Sequence, residues 1–319
     1  MAYSDETTAL DNPVDLYLTS LGNQRSRETM KHALQSFARF ISDGTTQSPF
    51  EVEWSRIKYK DIQNYLVELQ RQELKENTQT LYLSGIKGVL RKAATISTVD
   101  PAQRVSHEVL VEITEQVRAP VVRGKKQLVY VPSRDFKAII GTCDDSPAGI
   151  RDKAIMLLLY GCGLRRSEIV SLLTPKSINW VQQHLVIKGK GNKRREIPLF
   201  MEIEDAIIAW LEAVRGEEPG ALFYPLSKSG KVLKRAPLTI FGIGDIVSRR
   251  CKRAQTEIYR PHDFRGTFAT TLFELDTDLF TVMELMGHDD ANTTRRYDLR
   301  NSIAGYDAMT KVGAKLHSS

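Results

Sequence analysis

Residues 260–270 read R-P-H-D-F-R-G-T-F-A-T, and residues 285–297 read L-M-G-H-D-D-A-N-T-T-R-R-Y. His262 and Arg265 are three residues apart, so they share one face of a helix predicted over 262–275. The two motifs bring two histidines, an arginine and a tyrosine within 36 residues. Hydrogen-bond donors beside a hydroxyl nucleophile indicate chemistry on a phosphate.

The second motif predicts a helix, a glycine stop and then another short helix. Gly287 can end a helix over Leu279–Met286, because glycine tolerates the left-handed backbone found after many helices. His288 follows that glycine directly, and Tyr297 comes nine residues later on a helix predicted over Thr293–Leu299. The nucleophile candidate therefore lies close to His288 in sequence.

The composition is that of an ordinary globular protein with a basic balance. The chain has 319 residues, which is enough for two domains, and a formal net charge of +6. Its three cysteines lack metal-site spacing and are expected to be reduced thiols of a cytosolic protein. The N-terminus does not resemble a signal peptide, and no stretch approaches the ~20 apolar residues of a membrane span.

Basic residues gather in three clusters, which together favour a polyanionic partner over simple solvated surfaces. The first comprises Arg118, Arg123, Lys125 and Lys126. The second comprises Lys188, Lys190, Lys193, Arg194 and Arg195, of which Lys193, Arg194 and Arg195 are interpreted as phosphate contacts. The third comprises Arg249, Arg250, Lys252, Arg253 and Arg260.

The first 130 residues predict a helical domain and a linker. Residues 1–11 are polar and expected to be disordered, residues 12–116 carry helical periodicity, and residues 117–130 read as a basic linker. A helix from about Asn77 to Ala94 carries hydroxyls and cations along one stripe, namely Thr80, Ser84, Lys87 and Arg91. This stripe fits either a DNA groove or an ordinary solvent-exposed face.

From residue 131 the pattern changes from helix to strand and back to helix. Arg165 follows a Gly-Cys-Gly-Leu break at the start of a helix. Short strands are predicted at Ile178–Trp180, His184–Lys188 and Arg195–Leu199. The last two flank G-K-G-N-K, a hairpin tip that carries Lys190.

Six residues in this order resemble the tyrosine recombinase (phage integrase) family: Arg165, Lys190, His262, Arg265, His288 and Tyr297. The resemblance covers about Ser133–Leu299 and includes the nine-residue spacing from His288 to Tyr297. It implies a mainly α fold with a small antiparallel β-sheet, arranged as a two-domain C-shaped clamp. An all-α core-binding domain (12–116) would precede an α+β catalytic domain (131–299).

The resemblance and the chemistry of phosphate transfer agree on the roles of these residues. Arg165 and Arg265 would bind the non-bridging oxygens with planar, permanently charged forks. His288 would add a hydrogen bond, and His262 would be either a further donor or the base for Tyr297. Tyr297 would attack phosphorus, and Lys190 would protonate the 5′ oxygen that leaves. Neither a metal nor ATP would be needed, and no cofactor is expected.

Two further expectations concern a neighbouring carboxylate and the C-terminal tail. Glu168 either supports Arg165 or forms a simple surface pair with it. The tail, residues 300–319, either docks on another protomer or packs on its own chain. By resemblance, four protomers act through a Holliday junction on double-stranded DNA with inverted-repeat core sites, in the cytoplasm of a bacterium and on its nucleoid.

Three other functions compete with recombination. A type IB topoisomerase would use the same chemistry without exchanging partners, and a catalytically silent regulator would only bind DNA. A metal-dependent nuclease is disfavoured, because two arginines in one pocket would repel a divalent cation. No sequence pattern identifies the DNA sequence that the protein would recognise, the biological process that it would serve or its accessory proteins.

Overall fold

The computed structural model describes residues 12–97, 111–118, 128–189, 194–300, 309–310 and 314. The chain divides between Lys126 and Gln127 into two compact units. Helices dominate both, and the described strands form two small antiparallel sheets. The predicted fold class, mainly α with a small antiparallel sheet, is thereby confirmed.

The described part of the first unit is mainly helical. Asparagine side chains begin two of its helices, because Asn12 accepts a hydrogen bond from the Val14 amide at 2.9 Å and Asn23 from the Ser26 amide at 2.8 Å. The helices are α1 (Pro13–Thr19), α2 (Gln24–Ile41), α3 (Tyr59–Arg71), α4 (Glu76–Ser97) and the described part of α5 (residues 111–116).

An aromatic cluster and α4 form the core of this unit. The rings of Trp54 and Tyr65 lie 5.5 Å and 5.1 Å from the ring of Phe37. On α4, Leu83 is buried, whereas Tyr82, which the periodicity assigns to the apolar face, is only half-buried because its hydroxyl reaches a histidine on α2. The other residues of the predicted apolar face, Ile86, Val89, Leu90 and Ala93, are buried as expected.

The described part of the second unit combines helices with short strands. The helices are α6 (Ser133–Gly141), α7 (Pro147–Gly161), α8 (Arg166–Ser171), α9 (Met201–Trp210), α10 (Ile240–Arg253), α11 (Pro261–Glu274), α12 (Leu279–Met286) and α13 (Ala291–Arg295). The strands are β1 (Leu173–Thr174), β2 (Ile178–Asn179), β3 (His184–Lys188), β4 (Arg194–Pro198) and β5 (Gly220–Ala221).

The three-stranded sheet β2–β3–β4 presents a hairpin beside the candidate site. Strands β3 and β4 are antiparallel, with Lys188 opposite Arg194 at the open end. The predicted hairpin tip lies beyond that pair, so Lys190 and Lys193 are outside the described residues. Strands β1 and β5 pair over two residues each and are too short for their alternation to be recognised in the sequence.

Helix α7 is at the centre of the core of the second unit. It is buried around its circumference, as its uninterrupted apolar run predicts. It packs against α9, whose Trp210 is fully buried and donates its indole N–H to the carbonyl of Leu222 at 2.8 Å. This packing supplies a rigid base for the segments at either end of α7.

The element boundaries near the candidate site agree with the sequence in part. β3 and α12 match their predicted ranges residue for residue. The predicted helix Thr293–Leu299 is wrong, because Asp290 caps α13 by accepting the Asn292 amide at 3.0 Å and the helix ends at Arg295. Tyr297 therefore lies in the turn after α13 and not on a helix.

Several predictions fall outside the described residues. They are the segment 1–11, residues 98–110 of the predicted helical domain, most of the linker with Arg123, Lys125 and Lys126, and nearly all of the tail. Within the described part of the chain, no helix is both long enough and apolar enough to span a membrane.

Candidate active site

Arg165 is placed by a sharp break between two helices. Helix α7 ends at Gly161, and Gly163 adopts a left-handed backbone with φ of 57°. A β-carbon at Gly163 would lie 2.4 Å from Cδ1 of Phe268, so this position requires glycine for both space and conformation. Arg165 then precedes α8 as its N-cap residue, and its half-exposed side chain points toward the end of α12.

Arg265 lies on α11 and is buried. Its Nη1 donates to the carbonyl of Gly163 at 2.6 Å, and its Nη2 donates to the carbonyl of Met286 and lies 3.1 Å from His288 Nε2. Burial first, and then the charge of Arg165, lower the pKa of Arg265 to about 9, which leaves the guanidinium protonated at neutral pH. The side chain is thus fixed as a cation before any substrate arrives.

Glu168 connects the two candidate arginines. The Arg165 amide donates to its Oε2 and the Arg165 Nη1 to its Oε1, both at 2.8 Å, and Arg265 Nη1 lies 3.8 Å from Oε2. Burial raises the pKa of this carboxyl, but hydrogen bonds and charges from Arg195, Arg165 and Arg265 outweigh it and leave the pKa below its usual value. Glu168 is therefore a buried carboxylate that orients cations, rather than half of a surface pair.

Arg195 corrects the interpretation of the second basic cluster. It is buried, and its Nη1 and Nη2 donate to the two oxygens of Glu168 at 2.9 Å and 3.0 Å. Its Nε donates to the carbonyl of Leu285 at 3.0 Å. Because three of its N–H groups have protein partners, the structure places Arg195 in the framework of the site rather than on a free basic surface.

The C-terminal end of α12 is bound by three arginines in succession. Arg195 donates to the carbonyl of Leu285, Arg265 to that of Met286, and Arg165 to that of Gly287 at 3.0 Å. The last carbonyls of a helix lack partners within the helix and carry the negative end of its dipole. The end of α12 is thus fixed directly before His288.

Gly287 ends α12 as the sequence predicts. Its φ of 60° and ψ of 52° are left-handed, and its amide donates to the carbonyl of Glu284 at 3.0 Å. The chain turns at this point and points His288 back toward α11. The glycine stop therefore determines the direction of the following histidine.

His288 is held between Arg265 and Thr294. Its Nε2 lies 3.1 Å from Arg265 Nη2, and its Nδ1 lies 2.8 Å from Thr294 Oγ1. Burial, followed by the charges of Arg265 and Arg165, lowers the pKa of His288 to about 4. The imidazole is therefore neutral at pH 7.

Tyr297 lies against His288 and α11. The two rings are nearly parallel, at 15°, with centroids 6.2 Å apart. The Tyr297 ring is buried, and its hydroxyl oxygen lies 3.4 Å from His262 Nε2. The Tyr297 amide donates to the carbonyl of Thr294 at 2.9 Å. The hydroxyl thus lies beside an exposed imidazole.

An open cavity of about 650 Å³ lies between the Arg165–His288 side of the site and strands β3 and β4. Arg165, His288, Lys188 and Arg194 all line it. In the sequence, residues 190–193, which include Lys190 and lie outside the described part of the chain, connect two of the lining residues, Gly189 and Arg194. The cavity wall is thus cationic on two sides.

The described residues contain no group of three or more His, Cys, Asp or Glu side chains that could hold a metal ion. Asp289 and Asp290 line the cavity, and Asp263 instead accepts the Arg260 amide at 2.7 Å at the start of α11. The donors around the cavity are mainly cations, which suit an anionic ligand.

The predicted DNA stripe on α4 is only partly presented as expected. Thr80 and Ser84 donate their hydroxyls to carbonyls of their own helix. The Lys87 ammonium donates to the carbonyl of Val117, and burial, then Arg91 and Arg118, lower the pKa of Lys87. The structure therefore gathers three cations, Lys87, Arg91 and Arg118, within the first unit.

The third basic cluster is also partly structural. Arg250 is buried, and its Nε donates to Asp152 Oδ2 at 2.9 Å, while Arg249 Nη2 donates to the same oxygen at 3.0 Å. Arg250 is therefore an internal ion pair rather than a surface for polyanions. Lys252 and Arg253 remain exposed on α10.

Two residues of the site were not recognised as such from the sequence: Arg195 was interpreted as a phosphate contact, and Thr294 was not singled out. Arg195 appears in a basic run that gives no sign of which cation turns inward. Thr294 appears only as part of N-T-T, although it contacts both His288 and the backbone of Tyr297. Thr294 lies six residues after His288 and three residues before Tyr297, and this spacing is a sequence signal that it could contact both.

Comparison with known proteins gives concordant matches. The sequence model described as the phage integrase family matches residues 130–302. Tyrosine recombinase XerC of Alcanivorax borkumensis is 29% identical over 310 residues, covering 92% of each chain. Tyrosine recombinase XerC of Shewanella oneidensis is 29% identical over 299 residues, covering 89% of each.

Solved structures share the fold. A Tn1549 transposon integrase in complex with transposon right end DNA has a TM-score of 0.66 at 16% identity, covering 96% of this chain and 100% of that one. XerH recombinase bound to palindromic difH substrate has a TM-score of 0.65 at 18% identity, covering 94% of each.

Proposed function

This chain belongs to the phage integrase family, and we propose that it is a site-specific DNA recombinase in which Tyr297 attacks the scissile phosphodiester. One observation carries the proposal: the Tyr297 hydroxyl lies 3.4 Å from His262 Nε2, beside the Arg265–His288 pair. A nucleophile, a base and a cationic pocket thus occur together within the segment that matches the family.

The first step joins the enzyme to one DNA strand. Tyr297 Oη forms a bond to phosphorus while the bond from phosphorus to the 5′ oxygen breaks, giving a 3′-phosphotyrosine and a free 5′-hydroxyl. His262 accepts the phenol proton, which its 3.4 Å separation from Oη supports. A phenol with the ordinary pKa of ~10 is mostly protonated at neutral pH and is then a weak nucleophile. An adjacent base that removes the proton therefore activates it.

Two arginines stabilise the charge that develops on the non-bridging oxygens. Arg165 lines the cavity, and Arg265 carries a fixed charge behind it. Planar guanidinium groups match phosphate oxygens in pairs, and their preorganisation by protein carbonyls reduces the cost of reorientation. Glu168 and Arg195 hold this arrangement without contacting the phosphate.

Lys190 supplies the proton for the departing 5′ oxygen. Strand β3 ends at Lys188 and strand β4 begins at Arg194, opposite each other at the cavity, and the five residues 189–193 connect them in the sequence. A lysine in a segment that joins these two strand ends is compatible with a side chain that reaches the leaving group. The proton moves from the ammonium to the 5′ oxygen as the bond to phosphorus breaks.

The covalent intermediate keeps the energy of the ester bond. A 5′-hydroxyl from a second duplex can therefore reverse the step on a new strand without ATP or a metal ion. We propose that four protomers do this in turn at inverted-repeat core sites, through a Holliday junction, with residues 300–319 exchanged between neighbours. Such an enzyme would work in the cytoplasm, on the nucleoid.

The first unit and the basic residues around the linker would contact DNA. Lys87, Arg91 and Arg118 form a local positive field, and Arg123, Lys125, Lys126, Lys193 and Arg194 extend the basic sequence. Each cation that neutralises a phosphate releases counterions and strengthens binding at low salt. We assign residues 12–116 as the core-binding domain and residues 131–299 as the catalytic domain.

A nicked suicide substrate that carries the cognate inverted repeat tests the proposal. In EDTA, the unaltered protein should form a covalent protein–DNA adduct, Tyr297→Phe should form none, and Tyr59→Phe, a partly exposed tyrosine in the first unit, should form it normally. Binding without an adduct would indicate a silent regulator. Cleavage that requires a divalent metal would indicate a nuclease.

A second assay separates recombination from relaxation. Two plasmids that each carry the site should yield joined products, and a supercoiled plasmid without the site should remain supercoiled. Relaxation of any supercoiled plasmid without joined products would favour a type IB topoisomerase.

A further inference from the structure

Thr294 contacts both His288 and the nucleophile's turn. It is fully buried on α13, and its Oγ1 lies 2.8 Å from His288 Nδ1. Its carbonyl accepts the Tyr297 amide at 2.9 Å. One side chain and one peptide group thus fix the two aromatic rings that are nearly parallel in the site.

The partner of His288 Nε2 determines which nitrogen carries the proton. Arg265 Nη2 lies 3.1 Å from Nε2, and a guanidinium can only donate. Nε2 must therefore accept with its lone pair, and a neutral imidazole must then carry its proton on Nδ1. That N–H donates to Thr294 Oγ1 at 2.8 Å.

The charges around His288 favour the same neutral form. The groups that act on it are Arg265 on α11, Arg165 before α8, Arg195 on β4 and Arg296 after α13, all of them cationic. A second proton on the ring would be on Nε2, where its N–H would face the N–H of Arg265 Nη2, and two donors repel each other. The neutral ring instead adds one acceptor to the carbonyls of Gly163 and Met286 around that guanidinium.

We infer that Thr294 is a positioning residue that fixes the Nδ1–H tautomer of His288, so that Nε2 accepts from Arg265 in the DNA-free protein. This changes the expected role of the histidine. Before DNA binds, His288 orients Arg265 and does not act as a phosphate donor. Thr294 acts through His288 and does not touch the phosphate.

The catalytic consequence rests on the proposed function. Without the Thr294 hydroxyl, His288 loses the acceptor for its Nδ1–H, and the Nε2–H tautomer becomes accessible. That tautomer points a proton at Arg265 and tilts the guanidinium away from the scissile phosphate. Thr294→Val keeps the shape of the side chain and removes the hydroxyl, whereas Thr294→Ser keeps the hydroxyl.

The direct test is nitrogen NMR on the DNA-free protein with ¹⁵N-labelled histidine. The chain has six histidines, so His288→Asn identifies the resonances of His288. We expect the Nδ1–H pattern in the unaltered protein and in Thr294→Ser, and its loss in Thr294→Val. An Nε2–H pattern in the unaltered protein, or an unchanged pattern in Thr294→Val, would overturn the inference.

A kinetic arm measures the consequence with the suicide substrate. Thr294→Val should slow adduct formation about fivefold to tenfold, the equivalent of one hydrogen bond, with unchanged DNA affinity. Thr294→Ser should restore the rate. If the valine variant reacts at the normal rate, or if its DNA affinity falls in parallel, the positioning role is refuted. Absence of any adduct in the unaltered protein would instead refute the recombinase proposal, and the NMR result would still decide the tautomer.

Discussion

Arg195 and Glu168 form a buried bidentate ion pair, with both nitrogen–oxygen distances near 3 Å. The same carboxylate receives Arg165, and the same guanidinium reaches the end of α12 through Leu285. The pair therefore neutralises much of its own charge within the protein. Their contact also connects the β-hairpin, α8 and α12, which are the elements that surround the cavity.

Arg195→Met should reduce the free energy of unfolding by about 3–5 kcal/mol, because it leaves Glu168 buried without its main partner. Urea unfolding followed by tryptophan fluorescence and circular dichroism measures the change. Arg194→Met is the matched control, since Arg194 is the exposed neighbour on the same strand and should change stability by less than about 0.5 kcal/mol. Equal losses in the two variants would contradict the buried ion pair.

Stability should fall as the pH decreases from 6.5 to about 4. The unfolded chain protonates its histidines near 6.5, whereas His288 in the folded state has a pKa of about 4. The unfolded state therefore binds more protons in this window, and acid favours unfolding. Thermal unfolding at successive pH values tests this, and His288→Asn should flatten the curve between 6.5 and 4. A variant curve parallel to that of the unaltered protein would refute it.

Gly163→Ala should destabilise the second unit by about 1–3 kcal/mol and slow DNA cleavage. The position has a φ of 57°, and a β-carbon would lie 2.4 Å from the ring of Phe268. Its carbonyl also accepts from Arg265, so displacement of this turn would move the guanidinium. Calorimetry and the adduct assay report the two effects.

Gly141→Ala provides the comparison for Gly163→Ala. Gly141 is the last residue of α6, and a β-carbon there would meet no atom within 4 Å. Alanine should therefore be neutral or stabilise the protein by up to about 1 kcal/mol. A loss of stability at Gly141 as large as that at Gly163 would show that neither clash nor backbone conformation explains the result.

Arg91→Ala should reduce the slope of log affinity against log salt by about 1, if Arg91 neutralises one phosphate. The exposed Arg71 on α3 serves as control, because it lies away from the Lys87–Arg91–Arg118 group in sequence and pairs with Glu68. Fluorescence anisotropy on a labelled core-site duplex at several salt concentrations gives both slopes. Identical slopes for Arg91→Ala and the unaltered protein would exclude this contact.

Much of the fold could be predicted because apolar periodicity and glycine stops are local signals. Helix α12 has an apolar run that Asp278 begins and Gly287 ends, and both boundaries were predicted correctly. β3 alternates inward and outward residues between two turns. By contrast, β1 and β5 have two residues each and exist only because distant segments meet.

The site was less predictable wherever function depends on which way a side chain turns. Arg194 and Arg195 are adjacent cations, yet only Arg195 enters the protein, since Glu168 lies on that side of β4. The sequence also could not reveal that Tyr297 follows α13, because the cap at Asp290 moves the helix toward the N-terminus. The direction of Arg195 depends on a tertiary partner, whereas the start of α13 depends on which of several neighbouring capping residues is used, and the structure uses Asp290 rather than Asn292 or Thr293.

The turn that carries Tyr297 has a consequence for the intermediate. Two hydrogen bonds connect the Tyr297 backbone to Thr294 and Thr270, at 2.9 Å and 3.4 Å, and no helical ladder passes through the residue. A phosphotyrosine at this position would attach the DNA end to a short tether rather than to a rigid rod. The tether could be displaced by breaking local contacts, while the arginines at the end of α12 stay in place. The broken strand would then be carried by a part of the protein that is mechanically separable from the part that recognises the phosphate.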